Sequence, residues 1–190
     1  AASGTKTKNM LENSFSIPII LIYAAFFGAT MKIADLFDEH EMKSWFKGDR
    51  IIFGLLWGFF GILLVLSRSD IANVTLAMVL AFLVRMRIDY RNHAIATTMI
   101  IVTFLYKGIF DSTLFFIFFI IFTIFGGLRD YLGDIRKKKD WIYKINEPAW
   151  YYIIPTFIYG TFSSNWIIFF VFTVYIMFYG ENNDKVGYTA

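Results

Sequence analysis

The strongest constraint on this chain is a series of apolar segments that are too many and too long for a water-soluble core. Seven of them approach the roughly 20 residues that a helix needs to cross a bilayer, although the third, sixth and seventh are short. They run approximately over residues 15–35, 51–67, 71–84, 94–110, 112–128, 149–162 and 166–179. Only 17% of the residues are charged, against about 25% in ordinary soluble domains. The sequence therefore predicts an all-α, polytopic, multi-pass integral membrane protein with about seven transmembrane helices.

Polar tails flank the apolar region, so we expect one membrane domain over residues 14–180, with tails at 1–13 and 181–190. The first methionine is Met10, and residues 1–9 fit a processed end or an added leader. The chain has no cysteine, which excludes disulfides and thiolate chemistry. A net charge of +3 is too small to favour nucleic acid as a partner.

The basic residues predict an orientation for these helices. Threading seven crossings through a bilayer places fourteen of the eighteen lysines and arginines on one side. Because basic loops tend to stay in the cytoplasm, the N-terminus is predicted outside and the C-terminus in the cytoplasm. The same side receives three charged stretches, at residues 35–41, 85–93 and 129–139. We expect them to meet in a polar cavity at the ends of the first, third and fifth helices.

Acidic pairs end the first and fifth apolar segments. Asp35 and Asp38 are three residues apart, and Asp130 and Asp134 are four apart, so each pair shares a helix face. Carboxylates at a bilayer boundary are costly and usually functional. Like charges this close favour a bridging hard cation such as Mg²⁺, held together with phosphate oxygens. The sequence thus predicts catalytic and Mg²⁺-binding roles for all four aspartates.

Basic side chains on the same predicted face would contact the phosphate oxygens of a bound diphosphate. The candidate substrate-binding residues are Arg129, Lys137, Arg85, Arg91 and His93. His93 follows Asp89 by four residues, which would let that carboxylate orient the imidazole. The surrounding apolar and aromatic walls would suit a lipid tail.

The two acidic motifs resemble those of the UbiA-type intramembrane prenyltransferases. Ala34-Asp35-Leu-Phe-Asp38 is similar to the first aspartate-rich motif of that family, and Arg129-Asp130-Tyr-Leu-Gly-Asp134 is similar to the second. Over about residues 32–139, the resemblance implies a Mg²⁺-dependent enzyme that transfers a prenyl group from an isoprenoid diphosphate to a lipid or aromatic acceptor. Ala34 stands where the family has asparagine, and the family has nine helices rather than seven.

Two other functions stay open from the sequence. Charges at helix ends also mark the lipid–water boundary, as in a non-enzymatic membrane subunit that belongs to a transporter or assists the assembly of a membrane complex. Leu132-Gly-Asp134 is similar to the glycine–aspartate element of intramembrane aspartyl proteases, with Asp35 or Asp38 as the second acid. The expected partners are membrane lipid and, for the subunit, other membrane proteins.

Two further patterns concern packing and modification. Gly28 on the first segment and Gly54, Gly58 and Gly61 on the second offer small faces, which we expect to pack these two helices together. Asn73-Val-Thr75 matches an N-glycosylation sequon, but it lies close to the predicted membrane and the pattern is common, so we expect no modification there.

Overall fold

The computed structural model describes residues 15–38, 42–136, 141–145 and 148–180. Helix accounts for 84% of these residues and no strand occurs among them, which confirms the all-α class. The helices are α1 (Ile17–Asp38), α2 (Asp49–Ser67), α3 (Ser69–Val84), α4 (Arg91–Lys107), α5 (Ser112–Asp130), α6 (Trp141–Ile145), α7 (Pro148–Ser163) and α8 (Ile167–Tyr179), with a π-helical turn (Tyr131–Ile135) after α5.

Three of the described helical stretches have the length and hydropathy to cross a membrane. They are α1, α2 and the continuous run Ser112–Gly133. Helices α3 and α8 are apolar but have only 16 and 13 residues, below the roughly 17–25 of a full crossing. Each predicted apolar segment does form a helix, but the structure gives three candidate spans where the sequence predicts seven.

Helix α3 occupies the centre of the bundle. Residues 71–79 are all buried, as expected for a helix enclosed on every side. It packs against α2, α4, α5 and α8, while α4, α2, α1, α8, α7 and α5 form a surrounding row in which each helix packs on the next. The ends of α1, α3 and α5 therefore lie close together at one end of the bundle.

The predicted packing of α1 on α2 is confirmed. A Cβ on Gly61 would lie 3.1 Å from Cε2 of Phe27 on α1, and 2.5 Å from Cδ1 of Ile100 on α4. The other predicted small residues, Gly54, Gly58 and Gly28, lie against other helices: the first two face α4, and Gly28 lies against the backbone of α8. The sequence marks positions of close approach without identifying the partner helix.

Candidate functional site

A cavity of about 90 Å³ lies at the end of the bundle where α1, α3 and α5 end. By the criterion of about 10–15 Å³ for each water, it has room for several water molecules. We call it the basic cavity. Its polar lining comes from Lys32, Asp35, Arg85, Arg87, His93 and Arg129, and its aromatic lining includes Trp57, Phe82, Tyr151, Tyr152, Tyr175 and Tyr179.

An ion-pair cluster centred on Asp130 joins the end of α5 to the turn after α3. Arg85 donates to Oδ2 of Asp130 from both Nε, at 2.9 Å, and Nη2, at 2.8 Å. Nη2 of Arg87 lies 2.7 Å from Oδ1, and Nη1 of Arg129 lies 3.8 Å from the same oxygen. The Arg85 and Asp130 side chains are only 6% and 16% exposed. The charge of Asp130 is therefore neutralised by protein cations.

A left-handed residue places the two arginines beside Asp130. Met86 has a φ of 58°. Its N–H donates to the carbonyl of Leu83, and the N–H of Arg87 donates to the carbonyl of Phe82, the two bonds of a Schellman turn. This position usually holds glycine, because a Cβ is disfavoured in the left-handed region. The turn reverses the chain within one residue, so that Arg85 and Arg87 both reach the same carboxylate.

A second pair, His93 with Asp35, joins α4 to α1. Nε2 of His93 lies 2.9 Å from Oδ1 of Asp35, and both side chains are 5% exposed. Nδ1 lies 3.2 Å from the carbonyl oxygen of Arg87. The predicted orienting group, Asp89, lies farther from Nδ1, at 3.8 Å. Asp35 and the Arg87 carbonyl therefore fix the imidazole more directly than Asp89 does.

Aromatic rings enclose this imidazole. The rings of Trp57 and Tyr90 meet it edge to face, with centroids at 5.4 Å and 5.6 Å. Such packing holds a side chain in one orientation. His93 is thus a fixed part of the cavity wall.

Three buried N–H donors of cavity-lining residues have no hydrogen-bond acceptor among the described residues. They are Nε1 of Trp57, Nη1 of Arg85 and Nε of Arg129. A buried donor without an acceptor costs about 1–3 kcal/mol, and more when it is charged. Of these, Nη1 of Arg85 lies on the side of the guanidinium that meets Gly126. The lining residues of the basic cavity thus supply N–H donors of the kind that suit an anion.

The structure separates the remaining predicted site residues. Asp38 pairs with Arg50 at 3.1 Å and, together with Arg91, lines an open groove beside the cavity. Lys137 and the side chain of Asp134 lie outside the described residues. Asp35, Arg85, His93, Arg129 and Asp130 come together around the basic cavity, whereas Asp38 and Arg91 do not line it. The aspartyl-protease hypothesis, which requires Asp134 near Asp35 or Asp38, stays a prediction.

The geometry also bears on Mg²⁺, which prefers octahedral oxygen coordination. The oxygens of Asp130 contact Arg85 and Arg87, and Asp35 is bound to His93. Among the described residues, no group of three or more histidine and acidic side chains could hold a metal ion. Mg²⁺ binding by the four aspartates stays a prediction, since the side chain of Asp134 lies outside the described residues.

Sequence reasoning did not assign several side chains that line the cavity, among them Arg87, Trp57 and Tyr152. Arg87 lies in the 85–93 stretch, which the sequence did place at the site. Its charged neighbours could therefore have identified it as a cavity residue. Trp57 and Tyr152 lie within apolar segments and are 2% exposed. Nothing in the sequence distinguishes them from packing aromatics.

The Asn73 sequon is buried at the opposite end of α3. Nδ2 of Asn73 donates to the carbonyls of Ser69 and Ile109, and Oδ1 accepts from the N–H of Asp111. The residue has 0% exposure. Because glycosylation requires an accessible asparagine amide, Asn73 has a structural role in this fold.

No protein-family model, curated protein or solved structure matches this chain.

Proposed function

We propose that the protein is an integral membrane protein whose basic cavity binds the diphosphate of an isoprenoid substrate, as a step in prenyl transfer to a lipid or aromatic acceptor. The observation that carries this proposal is a cavity lined by several arginines, in which Trp57, Arg85 and Arg129 each have a buried N–H donor without an acceptor among the described residues. Guanidinium and indole N–H groups donate to phosphate oxygens.

Charge supports an anionic ligand. The cavity is lined by four cations, Lys32, Arg85, Arg87 and Arg129, and by Asp35, while Asp130 pairs with Arg85 and Arg87. A cleft lined mainly by one sign of charge attracts ligands of the opposite sign. Guanidinium groups suit phosphate oxygens in particular, because their planar N–H donors form paired, charge-assisted hydrogen bonds.

The setting of the cavity supports an amphiphilic ligand. Large apolar side chains on the outer faces of the helices are exposed, among them Phe26, Leu55, Phe116, Ile120 and Phe170. Such faces suit contact with lipid tails. Our proposal includes the seven-helix topology, with the basic cavity at the cytoplasmic side. An isoprenoid chain would then lie in the apolar part of the bilayer and its diphosphate at the polar end.

The proposal gives the main phosphate-binding role to arginine. The aspartates act by holding the cations, as Asp130 holds Arg85 and Arg87, because their oxygens already contact those groups. Mg²⁺ binding by Asp35, Asp38, Asp130 and Asp134 stays a prediction. Mg²⁺-mediated binding can be distinguished from direct binding by arginine, because the ligand would then bind only when the metal is present.

The test is the thermal stability of the detergent-solubilised protein with geranylgeranyl diphosphate, and with geranylgeraniol as the matched ligand lacking phosphate. A ligand that binds only the folded state stabilises it by about 2.7 kcal/mol at a hundredfold excess over Kd. Each ligand is measured with Mg²⁺ and with a chelator. We expect stabilisation by the diphosphate and not by the alcohol, in both conditions.

Two variants test whether the stabilising ligand binds in the basic cavity. Arg129→Gln removes a cation that lines the cavity. Arg136→Gln removes an exposed cation from the same end of the protein, where it contacts Tyr131. Only Arg129→Gln should weaken the response to the diphosphate. Equal responses to diphosphate and alcohol, or no response at all, would contradict the proposal and favour the non-enzymatic subunit. A response that needs Mg²⁺ would restore the metal-centred mechanism.

A further inference from the structure

The guanidinium of Arg85 lies against a glycine of the neighbouring helix. Its Cζ lies 5.7 Å from the centroid of the Phe82 ring, and the group meets the backbone of α5 at Gly126. A Cβ on that residue would overlap Nη1 and Cζ of Arg85 and lie 2.9 Å from Nε. Arg85 therefore occupies the space that any side chain at position 126 would need.

The next residue along α5 provides the contrast. A Cβ on Gly127 would meet no atom within 4 Å. Both glycines lie in the interior of the helix, where glycine is less favourable than alanine. Helix propensity thus disfavours both glycines. Only at Gly126 does a neighbouring side chain occupy the space that a Cβ would need.

We propose that Gly126 is a positioning residue of the phosphate site. Its bare backbone lets Arg85 lie against α5, donate twice to Asp130 and remain in the wall of the basic cavity. This inference rests on the proposed function for its link to phosphate, while the packing of Arg85 on Gly126 can be tested without any ligand.

A side chain at position 126 would act through Arg85. An alanine Cβ would push the guanidinium away from α5, because it would overlap Nη1 and Cζ. This displacement would change the positions of Nε and Nη2, which now donate to Asp130. The cavity would then lose the arrangement of cations that the proposed ligand contacts.

The experiment compares Gly126→Ala with Gly127→Ala. The two variants make the same chemical change on adjacent residues of one helix. We expect Gly127→Ala to keep the affinity for geranylgeranyl diphosphate and to show a slightly higher unfolding midpoint. Gly126→Ala should lower that affinity by at least about tenfold, the effect of losing a charge-assisted contact, and should lower the midpoint. Equal affinities for the two variants in a parent that binds the ligand would overturn the inference and leave the proposed function intact.

A double-mutant comparison tests the packing itself. Arg85→Ala removes the obstructing guanidinium, while Arg87 still contacts Asp130 at 2.7 Å. In that background, Gly126→Ala should raise the unfolding midpoint, as Gly127→Ala does, instead of lowering it. A midpoint that falls equally with and without Arg85 would overturn the positioning role. If the parent binds no diphosphate at all, the proposed function fails while this comparison still decides how Arg85 is placed.

Discussion

Replacing Asp130 with asparagine tests whether this carboxylate holds the arginines of the basic cavity. The change keeps the shape of the side chain and removes one charge. Removing one partner of a buried ion pair costs about 3–5 kcal/mol, because the other charge stays buried without compensation. Arg85 is 6% exposed and Asp130 16% exposed, and the amide oxygen can still accept a hydrogen bond. We therefore expect a loss of about 2–4 kcal/mol in the free energy of unfolding.

The assay is denaturant or thermal unfolding in detergent, compared with Asp89→Asn as the matched control. The Asp89 side chain is 57% exposed, so its loss should cost less than about 1 kcal/mol, the usual range for exposed pairs. Sulfate provides a second readout. It should stabilise Asp130→Asn more than the parent, because an anion in the cavity replaces part of the missing charge.

The reasoning is refuted if Asp130→Asn costs no more than Asp89→Asn. It is also refuted if sulfate stabilises the parent and the Asp130 variant equally. The first result would mean that the ion pair contributes little, and the second would mean that Arg85 and Arg87 do not create an anion site.

Two other substitutions test the framework around the cavity. Met86→Gly should raise stability by about 1 kcal/mol, since Met86 has a φ of 58° and a side chain that is 83% exposed, so relief of backbone strain outweighs the lost contacts; a lower unfolding midpoint would contradict this account of the turn. Asn73→Ala should lower stability by about 1–3 kcal/mol because it removes the hydrogen bonds that the buried amide makes to the carbonyl of Ile109 and the N–H of Asp111; an intact-mass measurement that found a glycan on Asn73 in the parent would show that the residue is not buried as described.

The sequence predicted the location of the site better than its chemistry. It placed Asp35, the 85–93 stretch and Asp130 at one end of the bundle, because each lies where an apolar segment ends and the segments alternate in direction. The sequence did not single out Met86, which was one residue of the charged 85–93 stretch. The left-handed turn there depends on the packing at the end of α3, which no local pattern shows.

The Mg²⁺ hypothesis shows where sequence reasoning stops. The spacing of Asp35 and Asp38 placed both carboxylates on one helix face, and this made a bridging cation plausible. In the structure Asp35 contacts His93, whereas Asp38 contacts Arg50 in the neighbouring groove. A helical spacing gives the direction of a side chain, but its partner comes from another helix.

By itself, the sequence determined the helical class, the apolar character of the bundle and the positions of charge along the chain, because segment length and composition act locally. Only the tertiary structure decided which acid meets which base. Arg85 and Asp130 are 45 residues apart, and His93 and Asp35 are 58 apart, so their pairing depends on how closely particular helices approach. The same is true of Gly126, whose role exists only because a guanidinium from another helix lies where its side chain would be.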